Sequence, residues 1–452
     1  MVLVTIEGET VLVCRQVDDF AVATEKDEIA KSFFAQLRKH VQTEYNAMGI
    51  EIPDVGIFER YNGIDIIQTR DYVKVSCESY LDRLFQTHGW DKPPSKASPY
   101  MVPLNPTTAN DLMKVEGPPE KSPEARALAI KNGFSYRNLL GELIYAFVIC
   151  RLDIGYAVCF LSRFATAPHP DHYQALRHVC KYLRSTKEWG ILYQRPAPMM
   201  DLPEVPFEYL PEESDLPPFP VIARDVLVAF LDAAHASDLN TRRSVTGYVI
   251  MFCGAAVAYK SRLQPIVATS STEAEFYAAV TAAKILKFLR YVLIQLESMA
   301  PGASPMYIDN EAALAMINES RPTARARHIE TQHFAIQEWC KAKDLYMRHI
   351  AGIINPSDDL TKPLGWVLHA RHARRAMGHY KLVSPETPKA LESGRELEPK
   401  FSGSATGGTA TGNNATKENP LGHVSENEED NVDNPDVTIQ LGGMDDPITI
   451  RS

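Results

Sequence analysis

The sequence predicts an α/β protein, and three observations predict it. First, three β-prone apolar runs follow one another from Val226: Val226–Leu231, Ser244–Cys253 and Ala255–Lys260, the last two joined by a Cys253-Gly254 turn. Second, the pattern then changes to helical spacing over Thr272–Glu297, with Ser271 or Thr272 as N-cap and acids in the first turn. Third, short strands and helices alternate to the end of this region. Met306–Ile308 reads as a fourth strand, Asn310–Ile317 as a short helix, Arg327–Lys341 as a further helix and Leu345–Ile350 as a fifth strand. The segment from Pro356 reads as the last helix.

Four acidic residues sit at chosen places in this frame. Asp232 ends the first strand. Glu275 lies near the start of the long helix, within Ser270-Ser271-Thr272-Glu273-Ala274-Glu275. Asp309 closes the fourth strand and is followed by Asn310. Asp358 lies in Asn355-Pro356-Ser357-Asp358-Asp359. A lone Asp after a strand is ordinary. Four acids in such contexts fit a metal-dependent nuclease, in which two divalent ions roughly 4 Å apart activate water and stabilise a leaving oxygen. Hard cations of that kind need several converging carboxylate oxygens.

The order and wording of five segments resemble the ribonuclease H domain of copia-type LTR retrotransposon Pol polyproteins. They are Thr241-Arg242-Arg243-Ser244-Val245-Thr246-Gly247-Tyr248, the Ser270–Glu275 run, Asp309-Asn310, Arg327-His328-Ile329 and Leu360-Thr361-Lys362-Pro363-Leu364. The resemblance implies a ribonuclease H-like mixed five-stranded sheet with flanking helices. It implies Asp232, Glu275, Asp309 and Asp358 as catalytic metal ligands, holding two Mg²⁺ ions with Mn²⁺ as a substitute. Glu273 reads better as a helix-start residue, and Asp359 stands where the family carries an apolar residue. The implied substrate is the RNA strand of an RNA–DNA hybrid. Ser270, Ser271, Thr272 and Asn310 stand beside the ligands as readers of the 2′-hydroxyl. Arg242, Arg243, Lys260 and Arg262 are candidates for phosphate contact. His328 either assists product release or caps the helix it precedes. The family reads Ser-Asp-Ala-Asp-Trp at the first ligand; here it is Leu231-Asp232-Ala233-Ala234-His235.

The first half reads as a partial α+β reverse transcriptase palm followed by a helical thumb and connection. Two β-prone runs flank Asp18-Asp19 in a hairpin pattern. The context resembles the polymerase motif Tyr-x-Asp-Asp, with Gln16 in place of the tyrosine. The expectation is a truncated polymerase remnant, with Asp18 and Asp19 as leftovers of its metal motif. It would be completed only by a missing polymerase portion or another Pol copy. Residues 92–124, rich in Pro, Lys and Ser, read as an exposed linker. Around Pro170–Leu183 a helix carries Arg177, His178, Lys181 and Arg184 on one side, as a solvated face or a phosphate-binding one. The expected divisions are 1–124 palm remnant and linker, 125–200 thumb and connection, 201–223 Pro-rich linker, 224–383 ribonuclease H-like domain and 384–452 acidic disordered tail.

Composition narrows the classes. No apolar run approaches the roughly 18–20 residues of a membrane span, and no signal peptide leads the chain. Seven cysteines, at 14, 77, 150, 159, 180, 253 and 340, show no zinc spacing and read as reduced thiols of an intracellular protein, in a cytoplasmic particle or the nucleus. The net charge of −10 argues against a nucleic-acid partner until it is located. Residues 384–452 hold 13 acidic and 5 basic residues, so the body is near neutral. A non-catalytic nucleic-acid-binding or structural remnant is the alternative to an active nuclease.

Overall fold

The computed structural model describes residues 2–16, 19–45, 56–57, 59–91, 101–195, 216–299, 302–318 and 330–380. His328, Asp18, most of the 201–223 linker and the 384–452 tail lie outside these residues. The chain divides into two compact units, Met1–Asp54 with the tail and Val55–Val383.

In the first unit, strands β1 (Val2–Ile6), β2 (Glu9–Gln16) and β3 (Asp19–Ala23) form an antiparallel sheet. Glu7 and Gly8 both have positive φ, the conformation that a two-residue hairpin turn needs. Alternation puts Val4, Ile6, Val11 and Val13 on one face, where Ile29 of helix α1 (Asp27–Tyr45) covers them. Gln16 pairs with Asp19, so the expected hairpin is present.

The second unit opens with strands β4 (Arg60–Tyr61), β5 (Ile64–Gln68) and β6 (Tyr72–Ser76), then helix α2 (Glu78–Thr87). Helices α3 (Pro106–Leu112), α4 (Pro123–Asn132), α5 (Tyr136–Ile149), α6 (Gly155–Leu161) and α7 (Pro170–Ser185) follow. Strand β7 (Gly190–Gln194) then returns to pair with β6 and completes a four-stranded antiparallel sheet. From residue 101 the expected linker is instead packed structure, with Val102, Leu104, Ala109 and Leu112 buried. The prolines that suggested a linker occupy first-turn helix positions, Pro106 behind the Asn105 cap and Pro123 behind the Ser122 cap.

On the basic side of α7, three of the four side chains bond backbone carbonyls of the protein itself. Arg177 donates to the Asn132 carbonyl and lies over the Phe134 ring. His178 bonds the Val102 carbonyl, and Arg184 donates to that of Trp90. Of the four, only Lys181 is exposed. Of these carbonyls, that of Val102 belongs to the stretch expected as a linker.

The C-terminal sheet consists of β8 (Val228–Ala234), β9 (Val245–Phe252), β10 (Ala255–Leu263), β11 (Ser304–Ile308) and β12 (Leu345–His349), in the order β10-β9-β8-β11-β12. The first three strands are antiparallel, and β11 is parallel to both β8 and β12. Helix α8 (Ser271–Gln295) precedes β11, and α9 (Glu311–Asn318) and α10 (Glu330–Lys341) precede β12. Beyond β12 a 3₁₀ turn, Pro356–Leu360, stands where the last helix was expected to begin. The helix itself, α11, spans Trp366–Ala376. The mixed sheet and its β-β-β-α-β-α-α-β-α order give an α/β, ribonuclease H-like fold.

The period of two along β8 sorts its neighbours. Leu227, Ala229, Leu231 and Ala233 pack with α8, α9 and α10. Val228 and Phe230 face the other way and join a core with Leu360, Ala370 and Ala373 that extends into α5, α6 and α7. Asp232 continues the second series. Hydrogen bonds from Tyr259 Oη to the Phe147 carbonyl and from Tyr193 Oη to the Ala256 carbonyl tie the sheet to α5 and to β7. No helix among the described residues is long and apolar enough to cross a membrane.

Candidate metal centre

Asp232 sits on the central strand, near the edge of the sheet where β8 and β11 run parallel. Asp309 follows the last residue of β11. The 3₁₀ turn brings Asp358 up from the opposite side. One carboxylate oxygen from each of these three residues lies within 4.8 Å of the other two. Glu275, on the first turns of α8, stands behind them; its Oε1 accepts from Ala233 N at 3.0 Å.

The turn is pinned in place by its neighbours. Asn355 Nδ2 donates to the Leu231 carbonyl at 2.9 Å, and its Oδ1 accepts from Ser357. Thr361 Oγ1 donates to Asp232 Oδ2. Gly247, opposite Asp232 on β9, leaves room for the approach. A Cβ there would meet Thr361 Cγ2 at 2.5 Å and the Ser357 carbonyl oxygen at 2.9 Å. Gly352 gives similar clearance, since a Cβ would stand 3.0 Å from Asp309 Oδ2.

Asp232, Glu275 and Asp358 are 3, 4 and 7 % exposed, so like charges are crowded in a dry place. Burial, then the charges of Asp232 and Asp309, push the Glu275 carboxyl up to about 10. Burial and Asp232 push Asp358 up to about 8, and the same two causes raise Asp309. Glu275 Oε2 and Asp358 Oδ1 are buried with no ordinary donor among the described residues, and both carboxyls lie against that of Asp232. Such a set is costly unless a cation neutralises it. Hard, all-oxygen donors with unpartnered atoms suit a divalent ion of the Mg²⁺ or Mn²⁺ type.

No protein-family model matches the chain. It is 27% identical over 358 residues, 79% of its length, to the retrovirus-related Pol polyprotein of transposon TNT 1-94 from Nicotiana tabacum. Over 143 residues it is 34% identical to secreted RxLR effector protein 161 of Plasmopara viticola, covering 82% of that protein. Over 240 residues it is 26% identical to the Pol polyprotein of transposon RE2 from Arabidopsis thaliana. Its homologues thus include retrovirus-related Pol polyproteins of plant transposons. It spans 23% of the tobacco polyprotein and 15% of the RE2 one. Among solved structures, LC11-RNase H1 from compost is 18% identical; 30% of this chain and 93% of that one are covered, at a TM-score of 0.24. That score is too low to carry the fold, which rests on the strand order above.

Around these acids, the other expected residues divide. Ser270 is the true N-cap of α8, one residue before the expected pair, and accepts from Glu273 N. Glu273 accepts from Thr269 N at 2.7 Å and so takes the helix-start role expected of it. Asn310 Oδ1 accepts from Ala313 N and starts α9. Ser271 is exposed and Thr272 half-buried. Arg242 is exposed in a loop held by Asp238, which accepts from Asn240 N and Thr241 N and pairs with Arg163 at 3.1 Å. Arg243 and Lys260 are half-buried, and Arg262 is exposed on β10. His235, where the family carries tryptophan, bonds the Ala268 carbonyl.

Asp359 turns away from the triad. Its Oδ1 bonds His369 Nδ1 at 2.6 Å, His369 Nε2 meets Tyr182 Oη, and Tyr182 donates to Asp153, which pairs with the fully buried Arg151. An apolar residue is thus replaced by a link in a buried chain to α7.

Sequence reasoning missed Lys362. Its ammonium lies 2.9 Å from Asp358 Oδ2 and 3.7 Å from Asp232 Oδ2. Burial opposes its charge, but Asp232 and Asp358 outweigh burial and raise its pKa. The signal was present in the spacing: four residues after Asp358, it falls one turn on, within reach of that carboxylate.

Proposed function

We propose that the C-terminal sheet and its helices, residues 224–383, form a divalent-metal-dependent nuclease that cleaves the RNA strand of RNA–DNA hybrids. The observation that carries this reading is the convergence of three acidic side chains from distant parts of the chain into a cup 4.8 Å across. Asp232, Asp309 and Asp358 would hold the metal, with Glu275 completing the set. The metal would supply charge neutralisation and activation of water at neutral pH. Kinship with Pol polyproteins supports this substrate class, since reverse transcription leaves RNA paired with DNA.

The protein's own residues would do the rest. The Thr361 hydroxyl orients Asp232. The Ser271 and Thr272 hydroxyls, on the exposed start of α8, would meet the minor groove and its 2′-hydroxyls. Arg242 and Arg262 would grip phosphates without regard to sequence. We further propose that residues 1–124 hold part of a reverse transcriptase palm and residues 125–200 a helical thumb and connection.

The test is a gel assay on end-labelled RNA–DNA hybrid, with RNA–RNA and DNA–DNA duplexes as controls, with and without Mg²⁺. The expected outcome is Mg²⁺-dependent cutting of the RNA strand of the hybrid alone, abolished by Asp309→Asn. Binding of hybrid with no cleavage under any metal would leave the non-catalytic remnant instead.

A further inference from the structure

Lys362 faces two places at once. On one side it closes the acidic cup through Asp232 and Asp358. On the other it lines a small cavity together with Leu104, Asp153, Tyr156, Asp359 and His369. The free space there is about 10 Å³, room for one water-sized group. Asp359 lines this cavity, is fully buried, and its Oδ2 has no partner among the described residues. His369 holds the other oxygen, Oδ1, so Oδ2 is the one left to accept from a second cation. The Lys362 side chain is 43% exposed, its four-carbon stem is flexible, and it lines the same cavity as Asp359.

We propose that Lys362 is a tethered counter-cation that occupies the cup when no metal is bound and moves to Asp359 when metal loads. It thereby sets the divalent-ion concentration at which the cup fills. The inference rests on the metal reading given above. Its logic is competition. A single positive charge within 4 Å of two of the ligands offsets part of their repulsion, and a divalent ion must displace it. The second seat lowers the cost of displacement, because the ammonium exchanges one set of carboxylate oxygens for another. Asp359 then links metal loading to the buried chain of His369, Tyr182 and Asp153.

Calorimetric titration of Mg²⁺ into the full chain tests this, with each variant first shown to melt cooperatively. Lys362→Met should bind about tenfold more tightly than the wild type, the scale of one removed like charge at a partly exposed site. Lys362→Arg should bind like the wild type. Asp359→Asn keeps an acceptor for His369 but loses the charge of the second seat, and should weaken binding several-fold. That weakening should vanish when Asp359→Asn is made in the Lys362→Met background. In the wild type, the ¹⁵N resonance of the Lys362 ammonium should shift on Mg²⁺ addition, a readout that needs no variant. Equal affinities for the wild type and Lys362→Met overturn the proposal and leave the metal reading intact. An equal effect of Asp359→Asn in both backgrounds, or an unmoved resonance, overturns the second seat. Absence of Mg²⁺ binding by the wild type overturns the metal reading itself.

Discussion

Replacing Glu275 by glutamine should change how the metal-free protein responds to pH. Glu275 is held protonated by burial and by its acidic neighbours, up to about 10, against an ordinary value near 4.5. A group raised on folding contributes stability that is fully present below its unfolded pKa and is lost as pH rises towards its folded one. The window for Glu275 therefore opens near pH 4.5 and closes near pH 10, and that of Asp358 runs from about 4 to about 8. Within a window, each retained proton costs about 1.4 kcal/mol per pH unit. From pH 4.5 to 7.5, Glu275 alone would cost up to about 4 kcal/mol, and solvent relaxation reduces this to the order of 2 kcal/mol. The amide introduced by Glu275→Gln carries no such proton. Its oxygen still accepts from Ala233 N, and its NH₂ faces Asp232 as a donor. Urea denaturation in chelator at pH 5, 6, 7 and 8 measures the slopes. The wild type should lose stability steadily, and Glu275→Gln should lose about half as much. Parallel slopes, or a wild type that gains stability with pH, would refute the electrostatic reasoning.

Other expectations follow from the packing. Gly247→Ala forces a methyl against Thr361 and the Ser357 carbonyl, so the turn bearing Asp358 must shift. The expected cost is about 1–3 kcal/mol with a weaker Mg²⁺ response, both read from thermal melts with and without the ion. Arg151→Met leaves Asp153 buried and unpaired, and should cost about 3–5 kcal/mol in urea denaturation. Ser270→Ala removes the α8 cap and should cost about 1 kcal/mol in the same experiment. Arg262→Ala should weaken hybrid binding evenly across sequences and lower the salt slope by about one, measured by fluorescence anisotropy across a salt series.

The sheet was legible because its signals are local. Apolar runs of strand length and the Cys253-Gly254 turn mark β8, β9 and β10 within a few residues, and the cap of α8 was missed by one position. The acids were legible because each follows a strand or opens a helix, places where a side chain can reach the sheet edge. Packing between distant segments was not legible. The prolines around residue 106 looked like a linker because nothing local says that Leu104 and Leu112 will be buried by α7. The same holds for Arg177 and Arg184, whose partners are carbonyls 45 and 94 residues away. Asp359 looked like an oddity until His369 supplied its partner. Lys362 lies within the Leu360–Leu364 signature, yet its role depends on Asp232, far earlier in the chain.

The claim beneath all of this is that the acidic cup seats a pair of divalent ions. Diffraction from crystals soaked in Mn²⁺, recorded near the manganese edge, locates those ions directly. The account predicts two anomalous peaks about 4 Å apart, bounded by Asp232, Glu275, Asp309 and Asp358. A cup without peaks at saturating Mn²⁺, its carboxylates still closed on Lys362, would contradict it.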